Sequence, residues 1–221
     1  MIDSEAAHLA LRNRLLGTSV ATTGSTSLAA TALGFSRASG SFITDGFRRG
    51  MEVVGTGFSS ANNTASVITQ VTAQFLTISG GRTAQASTAG RTLAVSVPTG
   101  RSWENVEFSP TTGFPYISEQ FVPAPGRLIG VADGGTLEQT GLYVITYFGL
   151  ADTDYGAIRR VMDAWAAKYT PGTSLTVGSD ALRIRGDTSV WAGQIIPLDN
   201  GYASCQLTVP WRAWTASTIA A

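Results

Sequence analysis

The segment that most restricts the fold is residues 191–211, where Asp199-Asn-Gly201 separates two runs rich in apolar and β-branched residues. Asn and Gly tolerate the positive φ that a tight hairpin turn needs, so residues 191–198 and 202–211 are expected to form its two strands. In the second run Ala203, Cys205, Leu207, Val209 and Trp211 alternate with Ser204, Gln206 and Thr208, which predicts one buried face and one wet face. A second strand is expected at Leu142-Tyr-Val-Ile-Thr-Tyr-Phe148, whose aromatic and β-branched side chains pack well on a pleated surface. The chain must therefore build a sheet and cover one side of it.

Two segments have the helical period needed for that cover. From Thr153 or Asp154, the residues Tyr155, Ile158, Val161, Met162, Trp165, Ala166 and Tyr169 recur at steps of three and four, while Arg159, Arg160, Asp163 and Lys168 face elsewhere; Pro171-Gly172 ends the run. Residues 3–16 form the other: Asp3 or Ser4 can cap it, Ala6, Leu9, Asn13 and Leu16 recur at helical spacing with Leu15 beside them, and Gly17 stops it.

Between them the character changes. Residues 19–98 contain short β-rich runs at 66–71, 75–79 and 91–97, separated by Asp45-Gly46, Ala61-Asn-Asn63 and Gly80-Gly81. The 25 glycines of the 221-residue chain suit such a turn-rich β unit. A further extended segment at 116–122 ends at Pro123-Ala-Pro125, where the missing N–H forbids a central sheet position. The order predicts an α+β fold, a mixed or antiparallel sheet packed by two helices, with an inserted all-β small domain. Residues 1–18 and 99–221 would form one discontinuous domain and 19–98 the insert, since an isolated first helix cannot bury its apolar face.

Composition narrows the function classes. Fifteen basic and fifteen acidic side chains cancel, which leaves no net field to hold a polyanion. Charged residues are only 14% of the chain against 43% hydrophobic, so a large uncharged surface is expected. With a single histidine, His8, no His-based triad, paired-His metal site or Cys/His zinc site can form within one chain; His8 is read as a solvated polar residue. Cys205 falls on the inward face of its strand, where a thiol behaves as a small hydrophobe. Asp152-Thr-Asp154 resembles a metal-holding acidic pair but sits at a helix start, where carboxylates cap. Gly55-Thr-Gly57 lacks the third glycine and the helix of a dinucleotide turn, and Lys168 has no glycine-rich loop ahead of it. No catalytic residue, metal ligand or cofactor is expected. Asp3, Glu5, Arg12 and Arg14 interrupt any apolar leader, and no apolar run reaches spanning length, so a soluble protein without a standard export signal or membrane contact is expected.

Aromatic and Arg side chains are enriched at interface centres. Most of the aromatics here belong to the core, and the candidate subunit or partner contacts are Phe108, Phe114, Phe121, Arg127, Trp211, Arg212 and Trp214.

Several segments in order resemble the tail terminator proteins of long-tailed bacteriophages: the opening helix, Trp103-Glu-Asn-Val106 with Phe108-Ser-Pro110, Phe121-Val-Pro-Ala-Pro-Gly-Arg127, Thr140-Gly-Leu-Tyr143, Tyr155-Gly-Ala157, Pro171-Gly-Thr-Ser-Leu175 and Gln206-Leu-Thr-Val-Pro-Trp-Arg212. The resemblance covers residues 1–16 and about 101–214. It implies a non-enzymatic virion subunit that forms a ring, usually of six, on the last ring of tail-tube protein, stops tube polymerisation and offers a surface to the head-tail connector or neck. Its partners would be itself, the tube protein and the neck proteins, with DNA only passing through the lumen; its place would be the neck end of the virion tail, after assembly in the host cytoplasm. Residues 40–47 and 61–63 look similar to a small β module of other phage tail proteins. Other readings are a different neck component, such as a tail-completion or connector protein, and a carbohydrate-binding β module.

Burying each large apolar side chain of the second helix should contribute about 1.5–3 kcal/mol. Trp165→Ala is accordingly expected to cost about 3–5 kcal/mol, read as a lowered denaturation midpoint and loss of soluble protein.

Overall fold

The structure is a computed structural model that describes residues 2–17, 21–23, 27–104, 106–129, 136–151 and 155–216. The first helix, α1 (Ser4–Leu16), begins where Asp3 accepts hydrogen bonds from the backbone N–H groups of Glu5 and Ala6, at 2.9 and 3.2 Å. It buries only Ala7, Leu11 and Leu15 and ends at Gly17.

Eight strands follow: β1 (Ala21–Thr23), β2 (Leu28–Thr31), β3 (Gly34–Arg37), β4 (Met51–Thr56), β5 (Ser66–Val71), β6 (Phe75–Ile78), β7 (Gln85–Thr88) and β8 (Thr92–Pro98). They form one antiparallel sheet in the order β1-β8-β4-β5-β6-β3-β2-β7, curled around Leu28, Phe35, Met51, Val53, Ile68 and Leu93. Short strands leave long loops, and buried polar side chains pin them by bonding backbone groups that would otherwise be unpaired. Arg91 donates to the carbonyls of Leu28 (2.9 Å) and Ala86 (2.6 Å) and lies 4.6 Å over the Phe58 ring. Asn62, fully buried, donates to the Thr83 carbonyl (2.8 Å) and accepts from the Thr83 N–H (2.9 Å). Gly55 lies within β4, so Gly55-Thr-Gly57 belongs to a strand and its exit.

The second sheet comprises β9 (Gly100–Ser102), β10 (Tyr116–Pro123), β11 (Arg127–Ile129), β12 (Thr136–Leu150), β13 (Ser174–Val177), β14 (Asp180–Ile184), β15 (Trp191–Pro197) and β16 (Tyr202–Ala216). Its order is β13-β14-β16-β12-β10-β9, with β11 added to β12 and β15 to β16; every pair is antiparallel except β9 with β10. β12 and β16 pair along all 15 residues of each, from Thr136 opposite Ala216 to Leu150 opposite Tyr202.

The alternation expected in β16 is present, and the side chains of Cys205, Leu207, Val209 and Trp211 are buried beside Tyr147, Ile145 and Tyr143 of β12. α2 (Tyr155–Ala166) lies against this face, with Trp165 edge-on to Tyr147 at 5.6 Å between ring centres. Beyond it, the Tyr169 hydroxyl donates to the Leu11 carbonyl at 2.8 Å and Arg14 Nε donates to the Lys168 carbonyl at 2.5 Å, which joins the two helices.

The expected α+β class is overturned. Among the described residues, sixteen strands in two curled eight-stranded sheets, against two α-helices of 13 and 12 residues, make the protein mostly β. The difference comes from strands whose sequence hides them. β9, β11, β13 and β14 are three to five residues long, too short to establish a period, and β12 extends six residues before Leu142 through the polar run Thr136 to Gly141. The second helix also ends earlier than its period suggests, at Ala166, with residues 167–169 in a turn. Its expected cap at Thr153 or Asp154, like the whole Asp152-Thr-Asp154 motif, lies outside the described residues.

Gly141 shows how closely the long ladder is packed. A Cβ there would lie 2.4 Å from the Trp211 ring and 2.6 Å from the Val122 carbonyl oxygen, distances that real Cβ atoms do not show. Gly141→Ala is expected to destabilise the protein by about 1–3 kcal/mol or more through overpacking, whereas Gly186→Ala, which meets nothing within 4 Å, should stay within about 0.5 kcal/mol. Parallel urea titrations of the two variants check this.

Candidate functional site

The seven side chains nominated as contacts fall into three places. Phe121 and Trp211 lie inside the protein, stacked at 5.2 Å with rings nearly parallel, and Trp211 is fully buried. They belong to an aromatic and ionic cluster centred on Glu119, whose side chain is fully buried. Arg12 of α1 forms an ion pair with Glu119 Oε1, His8 Nε2 lies 3.0 Å from the same oxygen, and the Tyr143 hydroxyl donates to Oε2 at 2.7 Å. His8 also stacks on Phe121 at 5.1 Å, and the Arg12 guanidinium lies 4.5 Å over Trp103. The reading of His8 as a solvated residue is thereby corrected: its side chain is 14% exposed and tied to the sheet. Burial, reinforced by Tyr169 and Glu119, pushes the Tyr143 hydroxyl well above its ordinary pKa, so it remains a proton donor to the carboxylate.

Phe108 and Phe114 are half-buried where the segment after β9 folds back over the sheet. Phe108 packs against Tyr116 at 5.5 Å; Tyr116 stacks in turn on Phe148 at 4.3 Å and meets Tyr202 edge-on at 5.4 Å. The Arg49 guanidinium, from the loop before β4, lies 4.1 Å over Phe114, and the Tyr202 hydroxyl donates to the Phe114 carbonyl at 3.2 Å. These two aromatics thus help hold the first sheet against the second. Beside them a cleft of about 600 Å³ runs between the sheets, lined by Ile43, Phe47, Val71 and Leu150 together with arginines, and no carboxylate, thiol or imidazole is among its described lining residues.

Arg127, Arg212 and Trp214 come together on the sheet face that carries no helix. Register explains the grouping: Arg212 stands between Thr140 and Arg183, and in the next row Trp214 stands between Glu138 and Ala181, with Arg127 opposite Glu138. The Arg212 and Arg183 guanidinia lie 4.7 and 5.7 Å from the Trp214 ring centre. Arg127 pairs with Glu138 at 2.7–2.8 Å, and Arg185 holds Asp187 in a two-point contact at 2.9 and 2.7 Å. That hydrogen bonding, foremost among several causes, lowers the Asp187 pKa to about 2, so the carboxylate stays charged. The group encloses a shallow basin of about 360 Å³.

Sequence reasoning nominated three members of this group and missed Glu138, Arg183, Arg185 and Asp187. The missed signal was the alternation of Arg183 and Arg185 with Leu182 and Ile184, one face charged and one buried. Elsewhere on the same bare face Val122 and Leu142, paired in register, are 41% and 38% exposed. Cys205 is buried, burial raises its pKa, and its thiol lies 3.5 Å from the Gly193 carbonyl. Among the described residues no group of three His, Cys, Asp or Glu side chains could hold a metal ion, and no helix is long and apolar enough to cross a membrane.

Fold and surface together define a mostly β protein whose second sheet, which has the longer strands, is covered by helices on one face and carries none on the other. The sequence model of the phage tail terminator protein family matches residues 82–211, from the end of the first sheet to Trp211 in β16, and the chain belongs to that family. The family is structural, and membership places the chain in the tail of a phage particle among proteins that contact other tail components. No curated protein matches the chain in sequence. A solved structure at 16% identity aligns over 52% of this chain and 78% of its own with a TM-score of 0.42, a likeness too distant to bear on the fold.

Glu119 is the group whose neutralisation should be felt most. Glu119→Gln keeps the shape but leaves Arg12 without its buried counter-charge, and a loss of about 3–5 kcal/mol is expected. Tyr143→Phe, which removes one hydrogen bond to the carboxylate, should cost about 1–3 kcal/mol. Equilibrium denaturation of both variants checks the order.

Proposed function

We propose that the chain is the subunit of a homo-oligomeric ring, of six copies as the family resemblance implies, that caps the tail tube of a long-tailed phage, stops its polymerisation and offers a surface for joining the head through the neck proteins. The observation that carries this reading is the family match over residues 82–211, which spans most of the second sheet and ends one residue before Arg212. That face presents Val122, Leu142, Arg212 and Trp214, and β15 at its side presents Trp191 and Ile196, 45% and 56% exposed. Apolar side chains gathered on an open sheet face, with arginines beside them, have the composition of a surface that other protein chains cover. Phe108, Phe114, Phe121, Arg127, Trp211, Arg212 and Trp214 remain the proposed contact set in two roles: Arg127, Arg212 and Trp214 meet a partner directly, and the others shape the sheet behind them.

Residues 1–18 with 99–221 are proposed as the ring-forming domain and 19–98 as an insert. The ion pair from Arg12 to Glu119 and the bonds from Tyr169 to Leu11 and from Arg14 to Lys168 support grouping α1 with the second sheet. Ring closure around a lumen through which DNA only passes would need no net positive charge, and the chain has fifteen charges of each sign.

Light scattering and negative-stain microscopy of the purified protein, with and without tail-tube protein, test the reading. A closed ring, alone or on tube ends, with tubes that stop growing once it is added, is the expected result. A strict monomer that leaves tube growth unchanged at high concentration overturns it.

A further inference from the structure

Two diagonally opposite corners of the second sheet carry unpaired charge of opposite sign. At one, Arg183 of β14 and Arg212 of β16 stand side by side in register over Trp214. Neither forms a direct ion pair among the described residues: Arg127 takes Glu138 and Arg185 takes Asp187, which feels Arg212 only at longer range. At the other corner, residues 103–104 and 106–108 lie round the β9 edge. Trp103 lies against Arg12 on the helix-covered face, the Val106 N–H closes the turn on the Trp103 carbonyl at 3.1 Å, and Phe108 packs on Tyr116 on the bare face. Glu104 and Glu107 are exposed on this turn, and neither forms an ion pair among the described residues. β14 and β9 lie on opposite sides of β16-β12-β10, so the two groups cannot neutralise each other within one subunit.

We propose that they meet between copies: the Arg183 and Arg212 guanidinia of one subunit receive the Glu104 and Glu107 carboxylates of the next. This contact rests on the ring reading above and deepens it by naming the surfaces that join. Contact between two different patches repeats from copy to copy and closes when the rotation permits, which is the arrangement a ring requires. Two guanidinia and two carboxylates match one to one, and charge-assisted bonds of this kind fix both register and partner choice. The overall balance of fifteen basic and fifteen acidic residues fits a chain that supplies both halves of its own contact. DNA is the poorer occupant of the basic corner. Glu138 and Asp187 share its basin, leaving an excess of only two positive charges from four arginines, whereas retention of a polyanion draws on many phosphate contacts.

Charge reversal in the full chain tests the assignment. The variants Arg183→Glu/Arg212→Glu and Glu104→Arg/Glu107→Arg should each lose the ring by light scattering while keeping the wild-type melting profile. Mixed in equal amounts they should recover it, since an acidic-edged copy can alternate with a basic-edged one round an even-numbered ring, and the four-fold swap in one chain should recover it as well. A ring that persists in either double variant places the contact elsewhere and overturns this proposal while leaving the ring reading intact. Loss that neither the mixture nor the four-fold swap repairs overturns the pairing too. A wild-type chain that forms no ring, alone or on tube ends, overturns both readings together.

Discussion

The antiparallel ladder between β12 and β16 is the constraint on which the second half of the molecule depends. Fifteen residues of each strand pair without a break, and four other strands attach directly to them, β10 and β11 to β12, β14 and β15 to β16, with β9 and β13 added outside β10 and β14. A one-residue slip would turn one strand over relative to the other, putting either Tyr143 and Ile145 or Leu207 and Val209 into water and Thr146 or Gln206 beneath the helices. The register is therefore fixed by the burial of one face. Gly141 adds a local lock, since only a residue without a Cβ lets the Trp211 ring lie across the neighbouring strand.

The ionic cluster at Glu119 solves a different problem. α1 fully buries just three apolar side chains, with Ala6, Ala10 and Leu16 only partly covered, which is a weak hold for a 13-residue helix. Arg12 and His8 supply the remainder by reaching the buried carboxylate, and Tyr143 satisfies its second oxygen. A buried ion pair adds little net stability over an apolar equivalent, but its geometry is exacting and its disruption is costly. In this position it specifies where α1 docks. The sequence separation of 107 residues between Arg12 and Glu119 means that this specificity is available only once β10 has joined the sheet.

That separation also explains which parts of the molecule could be read in advance. α2 and the hairpin at Asp199-Asn-Gly201 were legible because their signals are local: a 3.6-residue period in one, a turn dipeptide with alternating flanks in the other. The seventh to thirteenth residues of β12 were legible for the same reason, and its polar opening was not. β9, with the sequence Gly-Arg-Ser, has no strand propensity of its own and exists because β10 offers it an edge. The class prediction failed on such strands, which turn a sheet with two helices into a chain that is mostly β. Site residues divided likewise. Arg127, Arg212 and Trp214 could be nominated by type, but their meeting with Arg183 and Glu138 depends on the register of four strands, and the role of His8 depends on a carboxylate far along the chain.

The open face of the second sheet follows from how helices are distributed along the chain. An antiparallel sheet can stand with one face in water when that face is polar. Here the wet face is mixed: Gln120, Thr146 and Gln206 occupy its middle, while Val122 and Leu142 sit nearer the end where Arg212 and Trp214 gather. The helices are already committed to the other side, one by Trp165 against Tyr147 and one by the Glu119 cluster, so no described helix shields the end where Arg212 and Trp214 gather. Two consequences follow for a protein of the phage tail. Apolar exposure runs along the long ladder, from Val122 and Leu142 to Trp191 and Ile196 on β15, so anything that covers it must lie along that face. The arginines beside it are partly restrained by stacking on Trp214, so less side-chain freedom is lost when a partner's carboxylates engage them.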